Sequence, residues 1–257
     1  MALNLLLLFI IGTIFGSFLS VVIYRIHTQK KGIFFGRSQC THCNTKLCFG
    51  DLVPLFSYIF SLGKCRHCKK KIGIWYFMLE LTSGLLLAGL YLKFPIFNLD
   101  SGLIFTYYAV VSLALIGIFF YDLKFMEIAE LFTLPIIVLI LAVSFFIKEP
   151  GILNAAIGGA AAGIFFGFQV WISKEKWMGA GDTQVGILLG LLFGWQYLII
   201  CLLIAYVLGS FVSMLLIIGG KVSGKTKIPF APFLVFAAFT TLFFGDWIFS
   251  IYVSTLL

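Results

Sequence analysis

The chain has 257 residues, 61% of them hydrophobic and only 11% charged, with a mean hydropathy of +1.11. Ordinary soluble domains carry roughly 25% charged residues, so that class is excluded and the chain reads as membrane-embedded. The net charge of +8 raises nucleic acid as a partner, but the basic residues lie between apolar runs, where lipid-side anchoring accounts for them. No nucleic-acid partner is expected.

Residues 2–24 form the first apolar run, with no basic segment before it and Arg25 directly after. A cleavable signal peptide shows the opposite charge order and a shorter core. A permanent span with its N-terminus outside is therefore expected.

Residues 25–74 differ in kind. This loop holds ten of the eighteen Lys and Arg residues, all three histidines and five of the six cysteines. Its charge predicts a cytoplasmic position. The cysteines are paired as Cys40-Thr41-His42-Cys43 and Cys65-Arg66-His67-Cys68. Two C-x-x-C pairs at this separation form a structural zinc knuckle, each pair clamping one side of a tetrahedral ion. Two disulfides are the alternative, which a reducing cytoplasmic face disfavours. So small a loop has little apolar core, so the metal would supply folding energy. His42 and His67 could substitute as ligands, Cys48 is left over, and Cys201 reads as a packed apolar residue.

Further apolar runs follow at 74–93, 102–121, 131–147, 152–173, 183–195, 197–219 and 230–256, giving about eight transmembrane helices in an all-α membrane protein. The short run at 183–195 and its immediate successor are the weakest part of that count. Alternating the spans from an outside N-terminus places sixteen basic residues inside and only Lys93 and Lys148 outside. The organisation expected is a first helix at 1–24, a four-cysteine zinc-binding domain at 25–74 and a seven-helix membrane domain at 75–257.

Two acids stand at the ends of apolar runs. Asp122 closes Phe119-Phe120-Tyr121-Asp122, and Asp182 closes Trp177-Met178-Gly179-Ala180-Gly181-Asp182. Span parity puts both at the cytoplasmic face. Ionisable groups at membrane helices are costly and mark function by default. Two carboxylates in a poorly hydrated site share a proton and serve as acid and base together, so the pair reads as an intramembrane aspartyl protease. Gly179 and Gly181 let the backbone approach closely and present Asp182 at a helix start. The plain alternatives are a helix cap for Asp182 and a solvated span end for Asp122. Glu127, Glu130 and Glu175 read as interfacial charges, while Glu80, inside a span, must face protein or water. Pro229, Phe230 and Pro232 stiffen the entry to the last span. They offer either a plain helix N-terminus or a rigid edge for an extended peptide.

Together these residues resemble the bacterial type IV prepilin leader peptidases, which are bifunctional peptidases and N-methyltransferases with a GxGD aspartate. Gly16-Ser17-Phe18-Leu19-Ser20-Val21-Val22-Ile23-Tyr24-Arg25 is similar to the family's G-S-F-L-N-V-V-I-Y-R. The cysteine pairs match its cytoplasmic domain. Asp122-Leu123 with Ile128 and Leu134-Pro135 resembles its first catalytic segment. Gly179 to Asp182, with Gly190, Gly194, Trp195 and Gln196, resembles the second. Ile228-Pro229-Phe230-Ala231-Pro232-Phe233-Leu234 is similar to I-P-F-G-P-F-L. The resemblance implies that Asp122 and Asp182 are the catalytic pair. It implies cleavage of a basic leader from a prepilin or pseudopilin after a glycine, at the cytoplasmic face of a bacterial inner membrane. It also implies methylation of the new N-terminal residue from S-adenosylmethionine. The sequence departs from the family at Ile128-Ala129-Glu130, where I-P-D or I-P-N is usual, and at Gln184, where lysine is usual. It departs again at Trp75-Tyr76-Phe77-Met78-Leu79-Glu80, in place of R-Y-P-x-x-E. No Gly-rich dinucleotide-type loop is present, so the cofactor residues are not readable. Three alternatives stand beside this reading: a peptidase without methyl transfer, a proton-coupled transporter using the same acids, and a non-catalytic subunit docking through its knuckle.

Overall fold

The computed structural model describes residues 1–29, 32–33, 36–147, 149–176, 178–220, 226 and 228–256. Trp177 and six of the lysines in the charge distribution (Lys30, Lys31, Lys148, Lys221, Lys225 and Lys227) lie outside the described residues. Helices α1 (Ala2–His27), α2 (Phe56–Phe60), α3 (Ile74–Lys93), α4 (Leu99–Phe125), α5 (Glu130–Ser144), α6 (Gly151–Ser173), α7 (Ala180–Ile218) and α8 (Ala231–Leu256) follow in order. No strand occurs among the described residues. Six of these helices are long and apolar enough to cross a membrane, which makes this a multi-pass membrane protein. The chain forms two units, Met1–Gly117 and Ile118–Leu257.

In the first unit α1 packs on α3 with almost no side chain between them. A Cβ on Gly16 would stand 2.8 Å from the Glu80 Cα, so only glycine permits this approach. Glu80, expected to face protein or water, is buried, and its Oε2 accepts the Leu55 N–H at 2.7 Å. It thereby pins the cysteine loop to the membrane helix. Arg25 is also more than a lipid-side charge. Its guanidinium is buried and donates to the Gly32, Ile33, Gly36 and Arg37 carbonyls, folding the start of the loop onto the end of α1.

In the second unit the expected pair of spans at 183–195 and 197–219 is a single element, α7, broken at Gly194 with φ 70° and ψ 174°. The contacts of α6 show that the break is a full reversal. Along the first arm, Gly158 lies against Gly190, Gly163 against Ile187 and Gly186 against the Phe166 ring, so partner numbers fall as α6 advances. Along the second arm they rise. Asn154 accepts the Trp195 N–H at 3.2 Å, and Gln169 accepts the Tyr206 hydroxyl at 3.0 Å. The two arms of α7, 180–193 and 195–218, therefore run antiparallel beside α6. The first arm spans only about 21 Å, short for a crossing on its own. The eight expected apolar runs all appear as helix, α5 being the other short one at 15 residues.

Candidate active site and metal centre

Asp122 lies three residues before the end of α4 and is only 5% exposed. One of its carboxylate oxygens accepts the backbone N–H of Ala231, the first residue of α8. Its Oδ2 is buried and has no hydrogen-bond partner among the described residues. Asp182 is the third residue of α7, and its Oδ2 accepts the N–H of Gly179 at 3.2 Å, the carboxylate half of a capping box, the other half being closed to a glycine. Asp182 is thus not itself the N-cap weighed as an alternative, a place Gly179 takes, but the bond back to Gly179 fixes the carboxylate's direction. The two aspartates are near enough for their charges to interact directly. Two acids within electrostatic range of one another, one with an orphaned buried oxygen, are suited to act together as acid and base on a water.

The surrounding segments are tightly fitted. A Cβ on Gly181 would stand 2.9 Å from the Ile128 Cβ, so the turn before Asp182 closes directly onto the loop after Asp122. Thr133 in α5 is fully buried and donates to Gln184 Oε1 at 2.9 Å. Tyr206, on the second arm, lies within electrostatic range of Asp182. Its ring sits 5.1 Å from that of Phe230. Asp182 is consequently level with the middle of the second arm, which continues from Tyr206 to Ile218 for about 18 Å. Sequence order alone puts Asp182 at the end of an apolar run; the reversal at Gly194 sets it beside the middle of the second arm. Pro229 and Phe230 precede α8 and Pro232 is its second residue, the helix-start arrangement weighed above. What the sequence did not disclose is that this start aims the Ala231 N–H at Asp122.

In the first unit the four cysteines Cys40, Cys43, Cys65 and Cys68 come together, their Sγ atoms all within 4.8 Å of one another. None forms a disulfide. A tetrahedral zinc with Zn–S near 2.3 Å spaces its thiolates about 3.8 Å apart, and Cys40 and Cys68 already stand 4.0 Å apart. The donor set fits such an ion. Each pair sits on a small hairpin of the same design. Gln39 bridges Lys46 and Lys64 bridges Lys71, while Asn44 and Lys69, each four residues beyond the first cysteine, adopt φ 55° and 57°. Hydrogen bonding from Thr45 lowers the pKa of the Cys43 thiol to about 6, toward the thiolate a metal requires. Arg66 and Asp51 form an ion pair at 3.2 Å beside the cluster. His42 and His67 are exposed and outside it. Cys48 is exposed and outside the cluster, and Cys201 is fully buried, the packed residue expected.

Two family profiles match the chain: "Bacterial Peptidase A24 N-terminal domain" over residues 10–94 and "Type IV leader peptidase family" over residues 109–214. A protein of Burkholderia pseudomallei (strain 1026b) is 30% identical over 264 residues, covering 92% of this chain and 84% of its own length. The type IV leader peptidase family includes this chain. A Vibrio cholerae relative is 33% identical over 75% of the chain and 79% of its own length. One from Bacillus subtilis (strain 168) is 28% identical over 96% and 97%. Each of the three is named prepilin leader peptidase/N-methyltransferase. No solved structure matches.

Seen as a leader peptidase, the chain accommodates its departures locally. Ala129 has φ −80°, an angle proline also adopts, so the backbone survives the missing proline. Gln184 replaces a lysine and takes the Thr133 hydroxyl instead. Thr133, Gln169 and Tyr206 were not singled out from sequence, although each is a polar residue within an apolar run. That interruption was the available signal.

Proposed function

We propose that this protein cleaves the leader peptide from type IV prepilins or pseudopilins and then methylates the N-terminal residue so exposed. Family membership and the names of the relatives support both halves. The observation that carries the proteolytic half is the approach of buried Asp122 to capped Asp182 across the turn closed by Gly181 and Ile128. One carboxylate takes a proton from water as it attacks the scissile carbonyl. The other gives a proton to the carbonyl oxygen, and the amine leaves carrying one. The pair acts as a unit, so no fixed division of base and acid is assigned. The Ala231 N–H holds Asp122 in place, while Pro229, Phe230 and Pro232 form the edge beside which the extended leader lies.

The acids and the cysteine loop face the cytoplasm of a bacterial inner membrane, with the N-terminus outside. The sixteen-to-two distribution of basic residues supports that orientation. The functional division follows 1–24, 25–74 and 75–257. The basic loop would repel a basic leader, so its charge meets anionic lipid. Zinc held by the four thiolates is structural, since four protein ligands leave no open position. S-adenosylmethionine, when bound, supplies an electrophilic methyl group. The transporter reading loses its support, because the break in α7 lies about 18 Å of helix from Asp182, so the two aspartates are not at it.

The test is Asp122→Asn and, separately, Asp182→Asn in detergent-purified protein given a prepilin. Each is expected to lower the cleavage rate on the order of 10²–10⁴-fold with folding intact. Parental rates in both variants would overturn the dyad.

A further inference from the structure

The stretch 49–62 of the cysteine loop is built inside out. Phe49, Val53, Phe56, Ile59, Phe60 and Leu62 are all exposed, Phe49 at 93% and Phe60 at 77%. Asp51, Ser57, Tyr58 and Ser61 take the opposite side and face a cavity of about 410 Å³ between the loop, α1 and α3. A loop surrounded by water shows the reverse pattern, because removing apolar area from water is what stabilises it. We infer that residues 49–62 lie in the lipid, at the boundary between headgroups and acyl chains, and that the cysteine loop rests on the bilayer through them. The inference needs only that the chain spans a membrane and is independent of the reaction at the aspartates.

Two contacts fasten the segment beside a membrane helix. The Leu55 N–H donates to Glu80 Oε2 at 2.7 Å, and the Tyr58 ring lies 5.4 Å from that of Phe77. Phe77 and Glu80 are the fourth and seventh residues of α3. Six steps of helical rise put Glu80 about 9 Å along α3. The 20 residues of that helix extend about 30 Å, the thickness of a bilayer's hydrocarbon core. Residues 55–58 therefore lie alongside the first turns of a spanning helix and not beyond its end. Those turns also expose Ile74 and Met78, so outward apolar surface continues from the loop segment onto α3.

The apolar surface stops where the two hairpins begin. Thr41, His42, Asn44 and Lys46 are exposed on the first, and Lys64, Arg66, Lys69, Lys70 and Lys71 on the second. Exposed cations beside an exposed apolar stretch match a lipid surface: the apolar side chains enter to roughly 5–10 Å while the lysines stay level with the phosphates. A basic leader peptide would meet those lysines unfavourably. A soluble protein partner would have to dock against the first turns of α3, where lipid already lies. Cys43 and Cys65 flank the segment, so drawing the four thiolates together closes it into a loop whose apolar residues are left outside.

The experiment uses the full-length protein in vesicles of phosphatidylethanolamine and phosphatidylglycerol. The photoreactive amino acid p-benzoylphenylalanine is placed at position 56, at position 60 and, as a control, at position 44. Phe56, Phe60 and Asn44 are all exposed, so each exchange disturbs little packing. Irradiation is expected to add the mass of one phospholipid at 56 and at 60, and none at 44. Hydroxyl-radical footprinting of the unsubstituted protein in the same vesicles reads the surface without a variant. Relative to the free amino acids, Phe56 and Phe60 are expected to be oxidised about tenfold less than the exposed His42 and His67. Equal oxidation overturns the inference in favour of a solvated loop. Cross-links from 56 and 60 to an added prepilin, to a second copy or to residues 118–256, with no lipid adduct, overturn it in favour of a protein contact. Lipid adducts as frequent at 44 as at 60 also overturn it, because lipid contact would then not belong to the apolar stretch.

Discussion

Gly194 is the residue on which the placement of Asp182 beside the second arm turns, and Gly194→Ala tests that directly. At φ 70° and ψ 174° the backbone lies in a region open essentially to glycine alone. Holding alanine there costs about 1–3 kcal/mol. A Cβ would also stand 2.7 Å from Asn154 Oδ1, the atom that accepts the Trp195 N–H. Moving Asn154 aside therefore exposes an orphan donor at the start of the second arm, for about 1 kcal/mol more. The sum, about 2–4 kcal/mol, corresponds to a shift of roughly 30- to 1,000-fold in the equilibrium between the reversed and unreversed helix. The damage is far from the acids, yet it is expected to reach them. Without the reversal, Asp182 and Tyr206 would sit about 36 Å apart on one straight helix. Thermal unfolding in detergent should fall, and prepilin cleavage should fall with it. Asn154→Gly alone removes the same acceptor without the dihedral strain and should cost only the smaller part. A Gly194→Ala protein with parental melting temperature and parental cleavage would refute the reversal as the device that sets the site.

Two further outcomes follow from local geometry. Gly181→Ala pushes against Ile128 at 2.9 Å and should cut cleavage much more than stability; Ile128→Ala in the same chain should restore part of the rate, and no restoration would argue against the contact. Removing the metal with a chelator, or making Cys40→Ser, should speed hydrogen exchange across 38–72 and impair methylation before cleavage. Metal analysis finding no zinc in carefully purified protein would count against the knuckle.

Composition and periodic apolarity decided the class of this protein unaided, because a membrane imposes its length and polarity requirements on each span separately. The cysteine centre was equally legible, since two C-x-x-C pairs carry their geometry in their spacing and need only be brought together. Asp122, Asp182 and the motif glycines could be named from sequence for the same local reason. What sequence order could not supply is which residues face each other. Seen only as neighbours of apolar runs, Arg25 is an interfacial charge, Glu80 an awkward acid and Pro229-Phe230-Ala231 a stiff helix start. In the fold Arg25 clamps the loop, Glu80 holds Leu55, and Ala231 donates to Asp122. Level along the helices was decided by the tertiary structure as well. One glycine reverses α7, and the length left over in the longer arm sets how far Asp182 lies from the helix end. Such relations depend on packing between segments distant in the chain, and no local pattern of residue types encodes them.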